Sequence, residues 1–206
     1  GDDFTTLTAG TSNFRAGVNA GNSIASGGNY NVAVGDDAGT DLTTGDKNTL
    51  LGYAAGANTT TASNNTFIGS ESGFTNETGT SNVGVGWRTL LLSTGNSNTA
   101  AGYAALTANT TGSENVALGS SALAANTTAS YNVAVGQGAG DAITTGNYNT
   151  AIGRSALTTL TTNAANTAVG GAALAANTAA NNTAVGYSAL TANTTGTANV
   201  AVGKAT

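Results

Sequence analysis

Ten carboxylates, with no His and no Cys, set the limits of the chemistry this chain can do. Four of the acids, Asp36, Asp37, Asp41 and Asp46, lie close together, and clustered oxygens can hold Ca²⁺. Their spacing matches neither the EF-hand loop nor the nonapeptide Ca²⁺ solenoid. They read as solvated corner residues, and no metal is expected. A glycosidase-type carboxylate pair needs a cleft around the scissile bond, and the sequence gives no sign of one. Thiol nucleophiles, imidazole or thiolate metal ligands, disulfides and imidazole acid–base catalysis are excluded by composition. Neither an enzyme nor a cofactor is expected.

Binding is the next class of chemistry to weigh. Tyr53, Trp87, Tyr103 and Tyr187, together with Arg154, each follow a recurring Gly, while Tyr30, Tyr131 and Tyr148 each precede a recurring Asn. Exposed aromatics in such columns could stack on the sugar rings of host-surface or matrix glycans, or on a partner fibre. The plainer reading is that they cover the corners of adjacent coils. N-x-S/T sequons at Asn58, Asn76, Asn109, Asn126 and Asn193 matter only in an organism that modifies them. Five Lys and Arg at a net charge of −5 cannot form the basic stripe that duplex binding needs, so no nucleic acid partner is expected. With no run of 18 apolar residues, no membrane insertion is expected, and Gly1-Asp2-Asp3-Phe4 is no signal peptide.

What must position these columns is an internal repeat. The motif Asn, Thr or Val, usually Ala, an aliphatic residue, then Gly returns throughout, as in Asn31-Val32-Ala33-Val34-Gly35, Asn115-Val116-Ala117-Leu118-Gly119 and Asn182-Thr183-Ala184-Val185-Gly186. Its glycines run from Gly1 and Gly17 through Gly35, Gly52 and onward to Gly186 and Gly203, spaced by 16 to 18 residues. Three residues after the Gly, Ala stands in most units, and a Thr-Thr-Gly such as Thr110-Thr111-Gly112 comes later. Leu7-Thr8-Ala9-Gly10 fits the same pattern. The repeat covers 1–206, which reads as a single domain without linkers or evident caps. A chain starting at a motif Gly and stopping in mid-motif suggests a cut from a longer fibre or end-to-end stacking of copies.

Seventeen residues are too few for a helical repeat of two helices and two turns. The motif alternates with a period of two, so it predicts a short strand, followed by Gly-bearing corners. The expected fold is all-β, a parallel β-solenoid of about twelve coils, each about 4.8 Å above the last, giving a rod of roughly 55 Å. Stacking would set Asn13, Asn31, Asn48, Asn65, Asn82, Asn98, Asn115, Asn132, Asn149, Asn166, Asn182 and Asn199 in one file, each side-chain amide bonding to the next.

The expected core is thin. Leu, Val, Ile and Phe make up 34 of 206 residues, below the usual level for a globular core, yet 7% charged residues is too few for a typical disordered chain. The position after the recurring Ala holds Leu in many units (Leu90, Leu106, Leu123, Leu157, Leu174, Leu190). Where it holds Gly (Gly21, Gly39, Gly140), Ile24, Leu42 or Ile143 follows three places later. Close packing demands such exchanges of volume. Gly73 reads as compensated by Phe74, and Gly56 has no evident substitute. The Ala- and Thr-rich faces are expected to pack against another copy.

At N-[TV]-A-[VI]-G the sequence resembles the N-S-V-A-I-G repeats in the heads of trimeric, YadA-like autotransporter adhesins. The longer form Asn182–Gly196 is similar to repeats in phage tail-fibre shafts and large bacterial surface proteins. That resemblance implies a left-handed β-roll, commonly trimeric, projecting from a cell surface or virion into the extracellular space. The expected function is a rigid, non-enzymatic fibre or adhesin-type rod that self-assembles. The alternative is an ice-binding solenoid on aligned Thr rows (Thr43, Thr110, Thr144, Thr161, Thr194), or a glycan binder on the aromatic columns.

Overall fold

The computed structural model describes residues 10–206, together with the backbone of Phe4 and Thr5. Its elements are β1 (Phe4–Thr5), β2 (Phe14–Ala16), β3 (Val32–Val34), β4 (Thr49–Leu51), β5 (Thr66–Ile68), β6 (Val83–Val85) and β7 (Thr99–Ala101). They continue with β8 (Val116–Leu118), β9 (Val133–Val135), β10 (Thr150–Ile152), β11 (Thr167–Val169), β12 (Thr183–Val185) and β13 (Val200–Val202). All lie in one sheet in chain order, and β2 to β13 pair in parallel, Val116 opposite Val133 and Thr150 opposite Thr167. This is a β-solenoid of about eleven turns, each strand sitting on its counterpart one repeat earlier.

The N-terminal unit departs from the expected coil. β1 pairs antiparallel with β2, Phe4 opposite Ala16, so the sheet edge there is occupied by a reversed strand. Gly1 and Leu7–Ala9, assigned to the repeat by their letters, lie outside the described residues. Repeat length varies where the corners allow it. The step is 18 residues from Phe14 to Val32, and 16 from Val83 to Thr99 and from Thr167 to Thr183. In the short coils the Thr-Thr-Gly corner has lost a residue, as at Thr94-Gly95.

Two physical demands fix the motif Gly. Gly102 and Gly119 have φ of 129° and 135°, outside the regions open to L side chains. A Cβ on Gly102 would also lie 2.6 Å from the carbonyl carbon of Gly119 in the next coil. Further on, each coil places a residue in the left-handed region, and at the fourth position after the Gly this is Gly or Leu, with Leu106 at φ 51° and Leu123 at φ 49°. That backbone costs about 1–2 kcal/mol for a residue bearing a Cβ. Complete burial of the Leu side chain is worth about 1.5–3 kcal/mol, and both leucines are fully buried. Burial wins.

The strand faces are arranged opposite to the expectation that Ala would face a partner. The central residue of each strand points inward, with Ala33, Ala117, Ala134 and Ala184 at 0% exposure, while the flanking Val, Thr, Leu and Ile face outward. Inside, wherever the fourth residue after the motif Gly is Leu, the strand centre of that coil is Ala, or Gly at Gly84. At the inward position of β2 stands Arg15, whose Nη1 donates to the Gly21 carbonyl.

Volume exchange in the core is more complete than the letters suggested. Leu50, at the centre of β4, fills the space left by Gly39 and Gly56; a Cβ on either would come within 2.7 Å of a Leu50 methyl. Phe67, at the centre of β5, does the same for Gly73, and Phe74 lies half-exposed outside. In the next coil Gly84 replaces the strand Ala, making room for a buried Ser72–Thr89 hydroxyl pair 2.7 Å apart, with Ser72 Oγ also donating to the Gly84 carbonyl.

Candidate functional site

The Asn file exists, and its bonding is richer than an amide-to-amide column. In every coil the Asn Oδ1 accepts the backbone N–H of the next Asn, as Asn98 does from Asn115 at 3.0 Å and Asn115 from Asn132 at 3.0 Å. Most amide nitrogens also reach forward to a corner carbonyl, Asn115 Nδ2 to Ala129 O at 2.8 Å and Asn31 Nδ2 to Gly45 O at 2.8 Å. Direct amide-to-amide bonds join many of the pairs, including Asn31 to Asn13, Asn48 to Asn31, Asn65 to Asn48 and Asn199 to Asn182. Asn82, Asn149, Asn166 and Asn182 hold their places by the same backbone link. Burial without loss of hydrogen bonds is what allows a polar column in a core this narrow.

A second Asn file escaped the sequence reading. Seven residues after the motif Gly, Asn76, Asn109, Asn126 and Asn177 are fully buried, and Asn193 is partly so. Asn126 Nδ2 donates to Asn109 Oδ1, and Asn193 Nδ2 to Asn177 Oδ1, both at 2.8 Å. Three of the five sequons are therefore closed, because Asn76, Asn109 and Asn126 present no amide to solvent. In the expected Thr row, Thr43, Thr110 and Thr144 each donate the hydroxyl to a backbone carbonyl one coil on.

Three acids of the cluster bond to the neighbouring coil. Asp36 accepts from the Val18 N–H and Asp46 from the Asn29 N–H, each in the preceding coil, and Asp37 accepts from the Asn19 amide.

The outer face of the sheet has one character along the stack. One row runs through Val34, Leu51, Ile68, Val85, Ala101, Leu118, Val135, Ile152, Val169 and Val185; beside it, from Val32 to Val200, a second row holds Thr or Val. Leu51, Val85, Leu118 and Ile152 are 38–42% exposed. No charged residue occupies either row from β2 to β13. A contiguous apolar strip of this kind is uncommon on a lone soluble chain.

The aromatic columns form two stacks. Trp87 and Tyr103 stack at 4.8 Å and 18°, and Tyr131 and Tyr148 at 4.9 Å and 2°. Tyr30, Tyr53 and Tyr187 project into solvent, 57–62% exposed, with Tyr187 passing over Gly171, where a Cβ would touch its ring. Repulsion from the Glu114 carboxylate, and then from Tyr148, raises the Tyr131 phenol above its ordinary value. Desolvation raises the Asp141 carboxyl.

One surface patch breaks the repeat at several positions together. Two places after the motif Gly, where Ala or Ser is usual, stand Glu71 and Arg88, and Arg88 Nε donates to Glu71 Oε2 in the one ion pair among the described residues. The Arg88 guanidinium carbon lies 4.4 Å from the centroid of Trp87. Phe74, Thr75, Leu91 and Leu92 line a cavity of about 340 Å³ with this pair. Sequence reasoning singled out Trp87 here as a surface residue and read Phe74 as core. Comparing the coils at their second, fifth and sixth positions would have found the rest, because elsewhere those places hold mostly small residues.

Among the described residues no helix is long and apolar enough to cross a membrane. The chain matches no protein-family model, no curated protein and no solved structure.

Proposed function

We propose that this chain is a rigid, non-catalytic rod that associates through its outer sheet face with further copies of itself. The exposed row from Val34 to Val185 carries this reading. Its period is one coil, about 4.8 Å, so a partner that covers it along its length must repeat at the same pitch. A second copy does so by construction, and the absence of charge from both rows removes the usual barrier to self-contact. Stiffness comes from the Asn files and parallel backbone bonds, which tie each coil to the next all round the cross-section. The resemblance of N-[TV]-A-[VI]-G to adhesin heads, and of the longer form Asn182–Gly196 to tail-fibre shafts, supports placing the rod outside the cell, on a surface or virion appendage.

Native mass measurement and negative-stain imaging test the proposal. Oligomers of elongated particles are expected, and Leu118→Lys with Ile152→Lys should return them to monomeric rods of unchanged circular dichroism. Wild-type chains that stay monomeric at tens of micromolar concentration would refute it.

A second reading, glycan binding, is favoured by the patch at Glu71, Phe74, Arg88, Leu91 and Leu92. Its volume lies at the lower end for ligand pockets, its two charges cancel, and the Arg88 Nη atoms remain open to hydroxyl groups beside an apolar floor. Screening on a neutral-glycan array tests it, with loss of the signal in Phe74→Ala expected. The ice-binding alternative would appear as thermal hysteresis, and none is expected from a corner row in which Thr43, Thr110 and Thr144 bond their hydroxyls to backbone carbonyls.

A further inference from the structure

We propose that Tyr131 and Tyr148 are a built-in site for oxidative phenol coupling, in which peroxidase chemistry joins two successive coils by a carbon–carbon bond. The two residues occupy the same position in adjacent coils, just before Asn132 and Asn149, with nearly equal φ of 62° and 59°. Their Cα–Cβ bonds therefore point the same way, and the rings lie parallel within 2° at 4.9 Å. Exposures of 45% and 62% leave both open to a small oxidant or to electron transfer at a peroxidase surface. With both rings about half exposed, side-chain rotation can bring their ortho carbons together.

The chemistry balances with hydrogen peroxide as the oxidant. Each phenol gives up one electron and its hydroxyl proton to become a phenoxyl radical. The two radicals pair to form one bond between ortho carbons, and the ortho hydrogens then move to the oxygens, restoring both phenols. The peroxide O–O bond breaks as it takes up the two electrons and two protons, leaving two waters. Glu114 is the nearby carboxylate, placed to receive the proton that Tyr131 must release as it is oxidised. The other exposed tyrosines lack this partnership. Tyr30 has Ser12 and Lys47 as its column neighbours, and Tyr103 stacks on a Trp.

Groups held in one stack meet at an effective concentration in the millimolar range or above, so at micromolar protein the coupling within a chain should outrun coupling between free chains by roughly a hundredfold. The test treats the full chain with hydrogen peroxide and a haem peroxidase, and follows dityrosine fluorescence and the mass of tryptic fragment 89–154. An equal mixture of light and nitrogen-15-labelled chains reports whether a link lies within one chain, including inside an assembly. The wild type and Tyr30→Phe should yield fragments short of two hydrogens, purely light or purely heavy, at a rate independent of protein concentration. Tyr148→Phe, which keeps the ring and the stack, should lose about ten times or more of that yield, as expected when an intramolecular partner is removed. Equal yield in Tyr148→Phe, or wild-type links that mix light and heavy chains, would overturn the proposal.

Discussion

The ring of Phe67 occupies the space in which a side chain at Gly73 would stand, so the strand centre of one coil and the turn that follows it share a single volume. Other coils divide that volume differently, with Ala at the strand centre and a Leu four places after the motif Gly, as in Ala117 and Leu123. Phe67→Ala alone should cost about 3–5 kcal/mol through the cavity it leaves. Gly73→Leu alone should also destabilise, because the new side chain meets the ring. Together they should recover most of the loss, and a double-mutant cycle in urea measures the coupling. Simple addition of the two penalties would show that the residues do not share a space.

The Asn file makes a sharper demand. Asn115→Ala leaves the Asn132 N–H without its partner inside the core and takes one of two amide donors from the Ala129 carbonyl, which keeps Asn126 Nδ2. At about 1–3 kcal/mol for the orphaned N–H and about 0.5–1.5 kcal/mol for the bond lost at Ala129, the loss should reach about 2–4 kcal/mol. Asn22→Ala, on an exposed corner, should stay within about 0.5 kcal/mol of the parent. Equal effects at the two sites, read by denaturant midpoint, would contradict the role assigned to the file.

Asp141 sets a pH dependence. Its carboxyl is raised above the ordinary value by desolvation, against weaker lowering from the backbone N–H groups of Asp141 and Ala142. The group therefore favours the fold below the unfolded pKa of 3.8, and this contribution is lost as pH rises through the folded value. Asp141→Asn, which keeps an acceptor oxygen, should raise the melting temperature at pH 7, and its advantage should shrink as pH falls toward 4. A benefit that grows on acidification would reverse the assignment.

Much of the fold was legible because stacking repeats its requirements. A Gly at φ near 130° and an Asn that bonds both the next Asn and a corner carbonyl admit no substitutes, so both recur visibly. The inward direction of the strand was not legible. In Val-Ala-Val the larger residues suggest a core, but the coil is so thin that Leu123 and its equivalents, arriving from the opposite wall, leave space only for Ala. Compensation for Gly56 and Gly73 escaped notice because it comes from Leu50 and Phe67 in the preceding strand. Letters alone also placed the first residues in the repeat, whereas β1 runs antiparallel. As for the surface, Trp87 and the tyrosines were found as columns, while Glu71, Phe74, Arg88, Leu91 and Leu92 gather only across two coils and three different columns.

The claim beneath all of this is that one repeat makes one coil, in register from end to end. The chain has no Cys, so Tyr53→Cys with Tyr187→Cys gives two unique sites for nitroxide labels, both directly after a motif Gly. Strand pairing from β4 to β12 separates them by eight coil steps, about 38 Å at 4.8 Å per step. Pulsed electron–electron resonance on a dilute sample of labelled chain mixed into unlabelled chain should give a narrow distribution centred near that distance. A broad distribution, or a maximum far from it, would contradict the stacked solenoid.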